Sequence, residues 1–266
     1  MSRFDALAGA AVVFVLAVLF LAESRAPLRR RARPRDERLA VNAVVAIGAA
    51  LVVRLALVPI GVVVAGAAER AGVGLLHWLA APPMLAWPAG LLLLDYTMYV
   101  WHRLNHRVPL LWRFHLVHHT DLDLDVSTAL RFHAGELLLS CGWRAAQVAA
   151  LGPPVALVLV FEVMFETATA FHHSNWRLPR ALDRALTAVV VTPRMHGIHH
   201  SMREAETNSN WSGVVSWWDR LHRTLRLDRP AEALVIGLPA YREPLRVRDL
   251  LALPFRRQRP AWPTAT

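Results

Sequence analysis

The sequence predicts an all-α fold, a polytopic bundle of membrane helices that carries a histidine-rich cap on its cytoplasmic side. Three observations lead there. Apolar residues make up 55% of the 266 positions and the mean hydropathy is +0.32, above the apolar share of about 45–50% in soluble domains. These residues lie in long runs rather than short periodic stretches. The thirteen histidines gather mostly just beyond the ends of those runs.

The first apolar run, residues 4–22, is long enough to cross a bilayer as a helix rising about 1.5 Å per residue. Asp5 and the quick arrival of a second run favour a retained anchor over a cleaved signal. Residues 25–38 then hold seven arginines, a bias that places this loop in the cytoplasm. A second span follows over 39–67, interrupted by Arg54, and a third over 84–100, bordered by Tyr99 and Trp101. The second span exits and the third returns, so His102 emerges on the cytoplasmic face. Residues 137–171 are again apolar but are divided by Gly152-Pro153-Pro154, which predicts a helical hairpin with arms of 16 to 19 residues. That hairpin brings His172 and His173 back to the same face. The count is about four transmembrane spans, or a hairpin plus spans. Residues 182–191 read as an interfacial helix.

Three regions result: anchor spans and arginine loop (1–83), a histidine-bearing region with the membrane hairpin (84–224), and a basic, proline-punctuated cytoplasmic tail (225–266). The expected location is a bacterial inner membrane. The net charge of +10 belongs to this picture, because the arginines flank apolar runs, where they meet anionic lipid headgroups. They form no stripe interleaved with exposed aromatics, so no nucleic-acid partner is expected. A single cysteine, Cys141, excludes a disulfide framework and cysteine-based metal clusters.

Four histidine clusters carry the chemistry. His102 and His106 are spaced i,i+4 on one helical face; His115, His118 and His119 fall at i, i+3 and i+4; His172 and His173 are adjacent; His196, His199 and His200 repeat the second pattern. Neutral imidazole ligates iron, zinc, copper or nickel. Two or three imidazoles from one helical turn can point at one ion, and two facing groups can hold two. Eight or more histidines exceed the three protein ligands of a catalytic zinc. The Glu and Glu-x-x-His pattern of soluble di-iron bundles is missing.

Several segments together resemble the fatty acid hydroxylase and sterol desaturase superfamily of integral-membrane non-haem di-iron enzymes. They are DYTMYVWHRLNH (95–106), LWRFHLVHH (111–119), TALRFHAGE (128–136), HSNWRLP (173–179) and TPRMHGIHHS (192–201). The resemblance covers residues 95–224, nearly half the chain. It implies two iron ions, O2 as co-substrate, and attack on an unactivated C–H bond of a membrane lipid to give an alcohol or a double bond. It further implies His102, His106, His115, His118, His119, His196, His199 and His200 as ligands, with one or both of His172 and His173. The lipid is expected to enter laterally through an apolar channel between helices. Some relatives carry a further histidine one turn before the 172–173 pair, where this chain has Ala168 and Thr169. NWS (210–212) and WDRLHRT (218–224) also depart from the usual pattern. No segment reads as a fused electron-transfer module, so electrons are expected from a separate protein docking on the basic surface.

Around these ligands, Asp95 lies seven residues before His102 and is expected to accept its distal N–H. Asp219 has a similar reading, and Asn210 is counted with the same surrounding residues. His133 reads as a hydrogen-bonding residue near the site. Arg144, Glu162 and Glu166 fall inside spans, where ionisable groups need partners, and Arg144 is expected to pair with Glu162. Two other readings fit a histidine-rich membrane protein: a zinc-dependent membrane hydrolase, which needs no O2, and a metal transporter, which would space its ligands through the spans.

Overall fold

The chain breaks into helices where proline and glycine punctuate its apolar runs. A computed structural model describes residues 3–263, with side chains from residue 7 onward; the outermost positions of the expected anchor and tail, 1–2 and 264–266, lie outside the described residues. Helix α1 spans Arg3–Arg25. Helix α2, Arg35–Val52, passes through a π-helical stretch, Val53–Leu57, into α3, Val58–Ala71. A short α4, Leu75–Trp78, leads to α5, Pro83–Arg107. Next come α6, Pro109–His119, α7, Ala134–Leu151, and α8, Val155–His173. Shorter helices follow: α9, Arg180–Thr187; α10, Pro193–His199; α11, Glu204–Thr207; α12, Trp217–Leu221; and α13, Val247–Ala252. Among the described residues there is no strand, only three isolated bridges.

Among the described residues, three stretches are long and apolar enough to cross a membrane: Leu7–Arg25, Arg35–Trp78 and Val155–His173. Helices α5 and α7 have the length, 25 and 18 residues, but fall short of the same apolarity. The run from 35 to 71 is about 55 Å long at 1.5 Å per residue, well beyond a hydrocarbon core of about 30 Å. Its first turns therefore project into the cap, where Arg38 and Asn42 are buried.

The hairpin of α7 and α8 turns as its residues dictate. Gly152 adopts φ 63°, a left-handed conformation that favours glycine. A Cβ there would come within 2.4 Å of the Val73 carbonyl oxygen. Pro154 then precedes α8, where a missing N–H costs nothing. Across this hairpin Arg144 pairs with Glu162, as the matching depths of the two residues suggest. Gln147 donates to the Leu94 carbonyl at 2.8 Å and to Thr97, tying the pair to α5. Leu94, Leu151, Leu157 and Phe161 fill the apolar centre between these helices.

One expectation needs revision. The arginine loop does not simply face headgroups: Arg29 and Arg38 are buried in the cap. The C-terminal segment, read as a basic tail, packs against the cap. Leu238, Tyr241, Leu250, Leu253 and Ala261 pack with Val45, Leu116 and Val117 in one apolar core. Burial of such side chains contributes roughly 1.5–3 kcal/mol each, which is ample to hold this segment against α6. The helix expected over 182–191 lies slightly earlier, at Arg180–Thr187. Pro179 sets its start, and Val190 instead enters a bridge with Val215.

Candidate metal centre

Four helix ends converge in the cap. The end of α5 brings His102 and His106. Val108 is extended (φ −91°, ψ 116°), as a residue before proline prefers, and Pro109 starts α6, which ends with His115, His118 and His119. Helix α8 ends on His172 and His173. Thr192 caps α10, its side chain accepting from the Met195 N–H at 3.4 Å, and that helix presents His196, His199 and then His200.

The side chains fall into two adjoining groups. Nitrogens of His102, His106, His115, His119 and His199 all lie within 4.8 Å of one another, as do those of His118, His173, His196 and His200. Each three-histidine cluster is thus divided between the groups rather than aimed at one point. In the four-histidine group, Nε2 atoms approach in a chain: His118 to His173 at 3.0 Å, His173 to His196 at 3.1 Å, and His196 to His200 at 3.1 Å. In the five-histidine group, Nε2 atoms of His115 and His119 are 3.3 Å apart. The groups touch through the His119 and His200 rings, stacked 4.4 Å apart.

Ring orientation is set from behind. The Nδ1 of His102 donates to the Trp211 carbonyl at 2.9 Å, that of His173 to the Thr169 carbonyl at 2.8 Å, and that of His199 to the Ser209 carbonyl at 2.8 Å. The Nδ1 of His115 meets the Glu136 carboxylate at 2.8 Å. Each bond fixes a tautomer whose Nε2 lone pair is left facing the group. His172 stands apart: its Nδ1 donates to the Gly213 carbonyl at 3.0 Å and it belongs to neither group.

Each group could hold a metal ion. Imidazoles bound about 2.1 Å from one ion, at right to tetrahedral angles, would place their nitrogens about 3.0–3.4 Å apart, the spacing seen here. Both ring nitrogens of His106 and the Nε2 of His199 are buried with no hydrogen-bond partner, which is costly unless something else binds them. Burial first, then crowding by neighbouring imidazoles, holds His118, His119, His196, His199 and His200 well below the ordinary histidine pKa. They are therefore neutral, the form that ligates.

The surrounding residues act differently from their sequence reading. Asp95 does not meet His102; it accepts from the Val214 and Val215 N–H groups at 3.1 Å each and from the Trp218 indole at 2.8 Å. Asp219 accepts from the Trp211 and Ser212 N–H groups at 3.0 and 2.9 Å. Together the two aspartates shape the loop that offers the Trp211 and Gly213 carbonyls to His102 and His172. Asn210, left-handed at φ 54°, donates to the Met195 and Arg226 carbonyls, both at 2.8 Å, and locks that loop to α10. His133 sits outside this arrangement: its Nδ1 accepts from the Gly135 N–H at 2.9 Å as the N-cap of α7, and its other nitrogen meets the Leu251 carbonyl at 3.2 Å.

Two roles escaped sequence reasoning. Glu136, quoted only as part of a motif, is the carboxylate behind His115; no local spacing links positions 21 residues apart. Arg38 grips Asp121 at 2.8 and 2.9 Å and Asp125 at 2.7 Å, bracing the loop that follows His118 and His119. Although burial opposes it, Arg38 together with Arg131 holds the Asp121 carboxyl well below the usual carboxylate range.

The model of the family described as fatty acid hydroxylase matches residues 87–224. The chain is similar to an ornithine lipid hydroxylase of Rhizobium tropici, with 31% identity over 56% of this chain and 44% of that protein. It is also similar to cholesterol 25-hydroxylase of Rattus norvegicus (28% identity; 62% and 59%) and to alkylglycerol monooxygenase of Homo sapiens (25%; 67% and 38%). The similarity thus spans about two to three fifths of each of these relatives. No solved structure matches.

Proposed function

The chain belongs to the fatty acid hydroxylase family, and from that premise we propose that it is a membrane-bound oxidoreductase that uses O2 to hydroxylate an unactivated C–H bond of a membrane lipid. The observation that carries this reading is the pair of buried, adjoining histidine groups. The five-histidine group would hold one iron and the four-histidine group the other. Bound there, the iron pair would supply the redox chemistry that activates O2.

The chain's own residues do the rest. Carbonyls of Thr169, Ser209 and Trp211 and the Glu136 carboxylate fix the rings, so no reorganisation is needed when ligands are engaged. Burial keeps the imidazoles neutral and keeps water out. The lipid approaches sideways from the bilayer between helices, its apolar chain or ring placed next to the histidine cap. One surface cavity, about 530 Å³, is unsuited to that role: it is lined by Arg177, Arg180, Arg184, Arg194, Asp183 and Glu232 among others. Charged walls of this kind disfavour a hydrocarbon.

Hydroxylation is preferred over desaturation because the similar proteins are named as hydroxylases or a monooxygenase acting on lipid molecules. Residues 84–224 form the catalytic region, which the N-terminal helices and the C-terminal segment brace. The cap faces the cytoplasm, and a separate protein supplies electrons. A transporter reading fares worse, since the histidines of both groups sit at helix ends rather than along a path. The test is iron-loaded protein in nanodiscs, with metal counted and lipids compared by mass spectrometry. About two irons per chain and a hydroxylated lipid formed only with O2 support the reading; a product formed without O2, as a zinc hydrolase would give, overturns it.

A further inference from the structure

Lipid hydroxylation needs more than O2. One oxygen atom enters the C–H bond, and the other leaves as water with two protons and two electrons that the substrate does not provide. Those electrons must reach histidines that are enclosed on most sides. Trp211 borders one side. The Trp211 carbonyl accepts the His102 Nδ1–H at 2.9 Å, and its indole ring lies 6.4 Å, centre to centre, from His106. Trp211 is 2% exposed, and its indole nitrogen has no hydrogen-bond partner.

Over this indole stand two arginines. The Arg103 guanidinium lies 5.2 Å from the ring centre and that of Arg107 lies 5.8 Å away, within reach of cation–π attraction. Arg103 also stands 5.7 Å from the ring of Tyr99, on which His222 stacks at 5.0 Å. Arg223 follows, exposed and left-handed at φ 57°. Among the described residues, none of these three arginines pairs with a carboxylate, whereas Arg38, Arg144, Arg194 and Arg229 all do. The patch keeps its positive charge for something outside the chain. Arg107 is exposed and lies seven residues, about 10 Å along the helix, beyond the apolar part of α5 that ends at Val100.

We infer that Arg103, Arg107 and Arg223 form the docking surface for an acidic one-electron carrier protein, and that Trp211 conducts its electrons to the five-histidine group. This inference rests on the oxygenase reading. Opposite charge brings the carrier in and orients it. Its redox centre is then separated from His102 and His106 by little more than a guanidinium layer and one indole. Two successive deliveries provide the two electrons of each turnover.

The test uses the full chain in neutral-lipid nanodiscs and a plant-type [2Fe–2S] ferredoxin as the acidic probe. Wild-type protein should bind it, more weakly as salt rises. The R103E/R107E pair should weaken binding at least tenfold, with R103K/R107K restoring most of it. W211F, which keeps the backbone carbonyl that holds His102, should slow oxidation of reduced ferredoxin by the iron-loaded protein about tenfold more than it slows reduction by dithionite; equal slowing of both would overturn the conduit claim. Binding unaffected by charge reversal, no binding to wild type, or a patch that answers only to anionic vesicles would overturn the docking claim. If dithionite-reduced, iron-loaded protein makes no O2-dependent product, the oxygenase reading fails instead; ferredoxin binding to metal-free protein still reports on the docking surface.

Discussion

The Nε2 atoms of His118 and His173 lie 3.0 Å apart, although they arrive on different helices from positions 55 residues distant. Two imidazole lone pairs this close repel unless a proton or a cation lies between them. A shared metal ion resolves the conflict for the whole four-histidine group. His173→Ala should therefore lower bound iron from about two per chain to about one. His172→Ala, at a ring outside both groups, should keep the count near two. Metal analysis of the two purified variants decides this; equal losses would contradict the division of the pair.

Glu136 acts through His115, so its removal should be felt in affinity rather than in fold. Partners of this kind typically contribute 10- to 100-fold in metal affinity. Glu136→Gln is expected to weaken the five-histidine group by roughly that factor and to leave the other group unchanged. Competition with a chelator, followed per site, measures it.

Arg38 answers two buried carboxylates at once. Removing one partner of a buried ion pair costs about 3–5 kcal/mol, because the remaining charge stays uncompensated. Arg38→Ala should destabilise the protein by that amount in unfolding titrations. Adding Asp121→Asn and Asp125→Asn should recover part of the loss, since the stranded charges go with them. A change below about 1 kcal/mol would show that the cap loop does not depend on this clamp.

Burial holds His118, His119, His196, His199 and His200 below the ordinary histidine pKa, and this fixes the sign of a pH effect. In the metal-free protein the unfolded chain binds protons at these positions before the folded one does. Stability is then fully present above the unfolded pKa of about 6.5 and declines as pH falls below it. Thermal unfolding of metal-free protein should shift downward between about pH 7.5 and pH 5.5. A midpoint that holds steady or rises over that interval would contradict the neutral, buried state.

Much of this architecture can be read from the residues. Gly152-Pro153-Pro154 announces its own turn, because one residue takes a left-handed backbone and another cannot continue a helix. The pairing of Arg144 with Glu162 follows from depth alone. Spacing also carries more than the grouping of His115, His118 and His119 suggests. At about 100° per residue, i and i+4 stand about 40° apart, but i+3 lies about 60° to the other side. That is why His115 and His119 share one group while His118 serves the other, and why His196 and His200 part from His199. What stays hidden is whatever depends on backbone or on distant chain. The carbonyls that orient His102, His173 and His199 have no side-chain signature, and the loop role of Asp95 appears only once residues 211–218 are folded over it. Arg38 and Asp121, 83 residues apart, meet only because the first turns of α2 project into the cap.

The most direct test of the central claim is oxygen-isotope labelling of the lipid product. Iron-loaded protein, supplied with reductant and membrane lipid under ¹⁸O₂, should yield a lipid alcohol carrying one atom of the heavy isotope. Product oxygen drawn from water, or product formed equally well without O2, would contradict the account.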